Sequence, residues 1–305
     1  MSAQSNAMPD ARFESQVAAI ADISTMRCLY WSLKRELWEY RSIYLAPIGV
    51  SSLLLFGFMI NAVHLPEKMR RAAAFSPTEQ HKVMEQPFDY AALLIMLTTF
   101  IVAVFYCLEA LHGERRDRSI LFWKSLPVSD LTTVLSKACV PLLVLPILTF
   151  AITVATQWLM LLFSSIALLA SGQSAAPLWT NLMLGQMWMG LLYHLLMIHS
   201  LWYSPIFGWL LLVSSWARRA PFLWASLPPL AIGVAEKLAF NTAHFAAMLQ
   251  NRISGGVEGA VFTSRGMAMT AHGSFLISPG LWIGLGMSAI FLAGAARLRR
   301  YRGPI

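Results

Sequence analysis

Residues 90–111 read YAALLIMLTTFIVAVFYCLEAL, an apolar run interrupted by a single acid, Glu109. About 20 such residues in a helix cross a hydrocarbon layer about 30 Å thick. Read outward with the same rule, the chain offers five more runs, at 43–64, 138–170, 181–213, 220–240 and 276–296. Breaking 181–213 at Tyr203-Ser204-Pro205 leaves 206–216, too short for a crossing of its own. Pro205 is therefore read as a kink inside one helix. Of the 305 residues 57% are hydrophobic and only 12% charged, too much apolar surface for a soluble globule to hide. The expected fold class is an all-α polytopic membrane protein.

Charge sets the expected orientation. With the N-terminus inside, fifteen Lys and Arg fall on the cytoplasmic segments 21–42, 112–137, 214–220 and 297–305, against six on the external segments 65–89, 171–180 and 241–275. This bias favours six crossings with both termini cytoplasmic. The net charge of +8 then reflects topology rather than nucleic-acid binding. Eleven tryptophans suit interfacial belts, and the three cysteines, Cys28, Cys107 and Cys139, have no metal-site spacing and read as reduced and structural.

Residues 1–20 lack the basic start, apolar core and cleavage site of a signal peptide, so they are expected to form a flexible cytoplasmic segment. In 21–42, Ile23, Met26, Tyr30, Leu33, Leu37 and Tyr40 recur at helical steps, while Arg27, Lys34 and Arg41 keep a seven-residue rhythm with Trp31 and Trp38 between them. That pattern predicts a basic amphipathic helix lying at the membrane interface ahead of the first crossing. The rest, 43–305, reads as one six-helix transmembrane domain with a cytoplasmic loop at 112–137 and an external segment at 241–275.

Chemistry-bearing motifs are sparse. The chain has no Gly-Lys pair, hence no P-loop, and neither an H-E-x-x-H nor a G-x-S-x-G motif. His194 and His199 stand about 140° apart round a helix, a poor chelating geometry. Thr149, Thr153, Thr156 and Gln157 lie close to one helical stripe, with Gln186 in the next crossing; they read either as a translocation path or as hydrogen-bonded glue between helices. Glu109, near a crossing's cytoplasmic end, is expected to pair with Arg115, Arg116 or a neighbouring chain.

The loop between the second and third crossings, ERRDRSILFWKSLPVSD at 114–130, is the most distinctive feature. Glu114 to Arg118 alternates signs at the water boundary. Ser119 is placed to cap a short helix carrying Ile120, Trp123 and Leu126 on one side, with Phe122 adding bulk. Pro127 ends it, and Ser129 or Asp130 caps the helix leading through Lys137 into the third crossing. An apolar knob of this kind seeks a membrane surface or a protein groove.

The run HGERRDRSILFWKSLPVSDLTTVLSKACVP resembles the signature of type-2 ABC transporter permeases, with Glu114, Arg115, Leu126, Pro127, Val128, Ser129 and Lys137 at matching positions. Arg118 and Ser119 stand where many members have Gly and Thr. The resemblance implies a type-2 ABC exporter-like fold: six transmembrane helices preceded by an N-terminal amphipathic interfacial helix. It further implies a subunit that pairs with a second permease copy or paralogue in the bacterial cytoplasmic membrane. The chain itself would bind no cofactor, ATP and Mg residing on separate ABC ATPase subunits. Residues from about Ser119 to Leu126 would be the coupling helix, with Glu114, Arg115, Ile120, Phe122, Trp123, Leu126 and Pro127 engaged in coupling. Membrane lipid is the other expected partner, and nucleic acid is not one. Two further readings of the same sequence are a membrane enzyme using Glu109, Glu114 and His112 or His194, and a non-transporting assembly or immunity protein.

Overall fold

A computed structural model of the chain describes residues 25–72, 74–125, 128–255 and 272–303; the segment 1–20, Leu126, Pro127 and much of 241–275 lie outside them. The described residues are mostly helical, with no strand among them. In chain order the helices are α1 (Thr25–Glu39), α2 (Ser42–Ala62), α3 (Leu65–Ala72), α4 (Pro77–Ala110), α5 (His112–Arg116) and α6 (Ile120–Lys124). There follow α7 (Asp130–Cys139), α8 (Leu145–Ala170), α9 (Ala176–Asn181), α10 (Leu184–Tyr193) and α11 (Ser204–Trp216). The last are α12 (Pro221–Phe240), α13 (His244–Ile253), α14 (His272–Ile277) and α15 (Pro279–Tyr301).

Four helical stretches are long and apolar enough to cross a membrane: Ser42–Ala62, Glu79–Arg116, Asp130–Ala170 and Pro279–Tyr301. The pair Leu184–Trp202 and Ser204–Trp216, bent by 46°, makes a fifth if it counts as one span. The chain is thus built as a multi-pass membrane protein. Leu53, Phe56, Phe105, Ile147 and Ile290 are each more than half exposed, an arrangement that makes sense with lipid as the solvent. The expected crossing at 220–240 forms α12, which is not apolar enough to be counted with these. Pro228, Pro229, Glu236 and Lys237 interrupt its apolar run.

One departure from the sequence reading has a backbone cause, and one helix start stands where the sequence put its cap. The crossing expected over 90–111 begins at Pro77, because Ser76 and Glu79 form a reciprocal capping box there; most of the expected external segment 65–89 is therefore helical. The crossing expected over 138–170 starts at Asp130, where the Ser129 side chain accepts the Thr132 N–H at 3.0 Å.

Proline also explains two wide turns. Pro146 has no N–H for the regular ladder, and the helix widens into a π turn at Val140–Val144 in which the Leu145 N–H reaches back to Val140. A second π stretch, His194–Trp202, precedes Pro205. The carbonyl of Leu201, which Pro205 cannot serve, accepts instead from the Ser204 hydroxyl at 2.8 Å. The bend anticipated from Pro205 is present, at one residue, Tyr203, between two helices.

The interior divides into clusters. Ile43, Cys107, Leu111, Val134, Phe207 and Leu211 fill the one around the α4–α7 loop. Phe88, Met160, Leu161, Leu168 and Met187 fill another along α4 and α8. Ile198, Trp202 and Leu281 close a smaller one beside the second π stretch.

Candidate functional site

Of the charged run 114–118, Arg116, Asp117 and Arg118 are exposed as the sequence suggested, but the first two are not. Glu114 and Arg115 are buried, because helices distant in sequence converge on them. The Glu114 carboxylate accepts from Arg35 of α1 at 3.2 Å and lies 3.1 Å from Lys137 of α7. Its other oxygen takes Arg299 of α15. Arg299 also donates to Asp130 at 3.1 Å.

Beside it, Glu36 is wholly buried and accepts from Lys137 at 2.9 Å, Arg35 at 2.5 Å and the Tyr106 hydroxyl at 2.9 Å. Lys137 and Arg35 therefore each bridge two carboxylates. Burial alone would raise the Glu36 carboxyl, but Lys137 and Arg35 hold it below the usual carboxylate range. One ionic lattice thus joins α1, α5, α7 and α15.

The loop backbone is fixed from the other side. The N–H groups of Leu111 and His112 both donate to the Ser214 hydroxyl, at 3.1 and 2.9 Å, and that hydroxyl donates to Leu108 O at 2.7 Å. Arg115 donates to the carbonyls of Ser215 at 2.9 Å, Ala217 at 3.2 Å and Gly303 at 3.3 Å, so its guanidinium closes the end of α11 and the tail after α15.

The short helix α6 rises from this base. The turn into it places Arg118 at φ 59°, a left-handed conformation that suits glycine better than arginine. Ser119 does not cap α6 with its side chain as expected; it is already helical, and its hydroxyl donates back to Glu114 O at 3.4 Å. The helix ends at Lys124.

The apolar side chains of α6 split differently from the expected face. Ile120 is only 1% exposed and roots the helix in the protein. Trp123 is half-buried, with the Arg35 guanidinium 3.9 Å from its ring centroid. Lys124 is tied to the carbonyls of Arg300 and Arg302 at 3.3 and 3.4 Å. What faces outward is Leu121 and Phe122, 59% and 60% exposed. Leu126 and Pro127 lie outside the described residues.

The intramembrane polar stripe is spent on helix contacts. Thr149 pairs with Thr99 of α4 at 2.8 Å, and Thr156 with Ser51 of α2 at 2.6 Å. Gln157 donates to Phe88 O at 3.2 Å and accepts from Trp188 at 2.8 Å. Thr153 is fully buried, and its hydroxyl has no partner. Gln186 is exposed and does not join this seam. Glu109 pairs with Arg116 at 2.8 Å and lies 3.8 Å from His112. Glu114 is taken up by Arg35, Lys137 and Arg299. Among the described residues, no three His, Cys, Asp or Glu side chains come together as a metal site.

The sequence reading missed Arg35, Glu36 and Arg299 as parts of this site. Glu36 carried a signal: Leu29, Leu33, Glu36 and Tyr40 follow steps of four, three and four, so an acid lies on an apolar side of the helix. Comparisons with protein-family models, with curated proteins and with solved structures gave no match.

Proposed function

We propose that the chain is the membrane-spanning subunit of an ATP-binding-cassette exporter of the type-2 kind, and that α6 docks on a separate ATPase subunit. The observation that carries this reading is the outward Leu121–Phe122 pair on a helix whose other side is clamped by Ile120, Arg35 and Lys124. An exposed apolar pair on a rigid mount suits insertion into a protein groove. The mount itself suits force transfer, since Glu114 connects the base of α6 to α1, α7 and α15.

In this reading α12 supplies the sixth crossing and both termini lie in the cytoplasm of a bacterium. A second copy or paralogue completes the translocation path. ATP and Mg act on the ATPase. Its closure displaces α6, and the ionic lattice carries that displacement into α4, α7 and the C-terminal end of α15 together, switching access between the two membrane faces. The hydrogen bonds of Thr149, Thr156 and Gln157 keep α8 moving as one body with α2 and α4.

The test replaces Leu121 by Ser and Phe122 by Ala together. The reading expects the variant to insert normally, to lose co-purification with its ATPase subunit, and to lose stimulation of ATP hydrolysis. Retention of both properties would remove the docking role, and with it the main support for the function.

A further inference from the structure

Helix α1 has two unlike faces. One carries Glu36 into the ionic lattice and packs Leu33 and Leu37 on the core cluster. The other is unpartnered: Trp31 and Trp38 are 61% and 72% exposed, and Arg27 and Arg41 are exposed as well. Arg27, Trp31, Lys34 and Trp38 follow steps of four, three and four, which places them along one stripe of α1, and Arg41 follows two residues beyond the end of that helix. The Lys34 ammonium lies 5.0 Å from the Trp31 ring and 5.2 Å from that of Trp38, held between the two indoles. Glu39, the exposed acid of α1, lies 3.8 Å from Arg35.

We infer that this stripe is a binding surface for anionic phospholipid headgroups. The position argues for lipid. Only Tyr40 and Arg41 separate α1 from α2, the first apolar span, and Leu45 and Ile48 at the start of α2 are about half exposed, at 56% and 45%. The stripe therefore adjoins the boundary where a hydrocarbon-facing surface meets headgroups. Tryptophan favours that depth, and basic side chains beside it favour phosphate over a zwitterionic surface.

The charge argues for the same occupant. Three cations without an acid among them repel a second basic stripe of the same kind, so this face does not suit pairing with its own copy. Each basic residue near an anionic surface enriches it roughly fivefold. The lattice on the opposite face fixes the roll of α1, so the stripe is presented in one orientation. This inference stands apart from the ATPase reading and survives its failure.

The experiment uses the full-length chain in phosphatidylcholine vesicles containing a minor share of either brominated phosphatidylglycerol or brominated phosphatidylcholine. The signal of Trp31 and Trp38 is taken as the difference between the parent and a Trp31→Phe/Trp38→Phe variant. We expect brominated phosphatidylglycerol to quench that signal a few-fold more strongly than brominated phosphatidylcholine. The difference should disappear at high salt and in an Arg27→Gln/Lys34→Gln/Arg41→Gln variant that still inserts. Equal quenching by the two lipids overturns the headgroup preference. Quenching by neither overturns the proposal in favour of a protein covering the stripe.

Discussion

Two buried polar regions hold this bundle together by different chemistry. Around the α4–α7 loop the groups are ionic: Glu36, Glu114, Lys137, Arg35 and Arg299 pair across four helices. Along α8 they are neutral, with Thr149 on Thr99, Thr156 on Ser51, and Gln157 between Phe88 O and Trp188. The ionic lattice fixes where a loop sits relative to several helices, because each cation has two acids to satisfy and few geometries do so. The neutral seam only has to keep neighbouring helices in register. Burying charge also makes loss of a partner expensive, whereas an unmade hydroxyl bond is cheap by comparison.

The largest effect should therefore follow from Glu114→Ala. It strips a partner from Lys137, Arg35 and Arg299 at once, and breaking a buried ion pair costs about 3–5 kcal/mol. The expected outcome is a marked fall in the thermal unfolding midpoint of the detergent-purified chain, together with loss of the α6 position. Cysteine cross-linking between Lys124→Cys and Arg302→Cys would report that position. An unfolding midpoint like that of the parent would mean that Glu114 is not the keystone of the lattice.

Acid should separate the two regions next. The folded-state pKa of Glu36 is depressed, so its contribution is complete above the ordinary carboxylate value of about 4.3 and is lost as pH falls through the lower folded value. The parent should lose stability steeply below about pH 4.3. A Glu36→Gln variant should start lower at neutral pH and decline less steeply over that window. Parallel pH curves for the two proteins would show that Glu36 does not carry this dependence. The neutral seam contributes no slope of its own.

What could be read ahead of the structure follows from how local each signal is. Apolar runs are local, so four stretches of membrane-spanning character, or five with the bent pair, overlap the six that the composition put forward, and the Pro205 bend and a cap at Ser129 or Asp130 were visible from single residues. The lattice was not visible, because its partners are far apart in sequence: 79 residues separate Arg35 from Glu114, and 185 separate Glu114 from Arg299. A Glu-Arg pair reads as solvated when the helices that cover it cannot be seen. The same blindness assigned Ile120 to an exposed face, since only the packing beneath α6 decides which side of five residues is inward. The seam fell between these cases. Its helical stripe was legible, but which neighbouring helix each hydroxyl would meet was not.

Thr149→Val tests the cheaper half of the comparison. The substitution keeps the shape of the side chain, removes the bond to Thr99 and leaves the Thr99 hydroxyl its contact with Ile95 O at 3.0 Å. Interhelical hydrogen bonds within a membrane average about 0.6 kcal/mol, because the separated helices find other partners for the same groups. The midpoint should fall only slightly, by the same amount at neutral and acid pH. Thr99→Val added to Thr149→Val should then cost little more, since both sides of the bond are already unneeded. A loss as large as that of Glu114→Ala, or one that grows on acidification, would mean that the seam is electrostatically continuous with the lattice and that the two regions act as one.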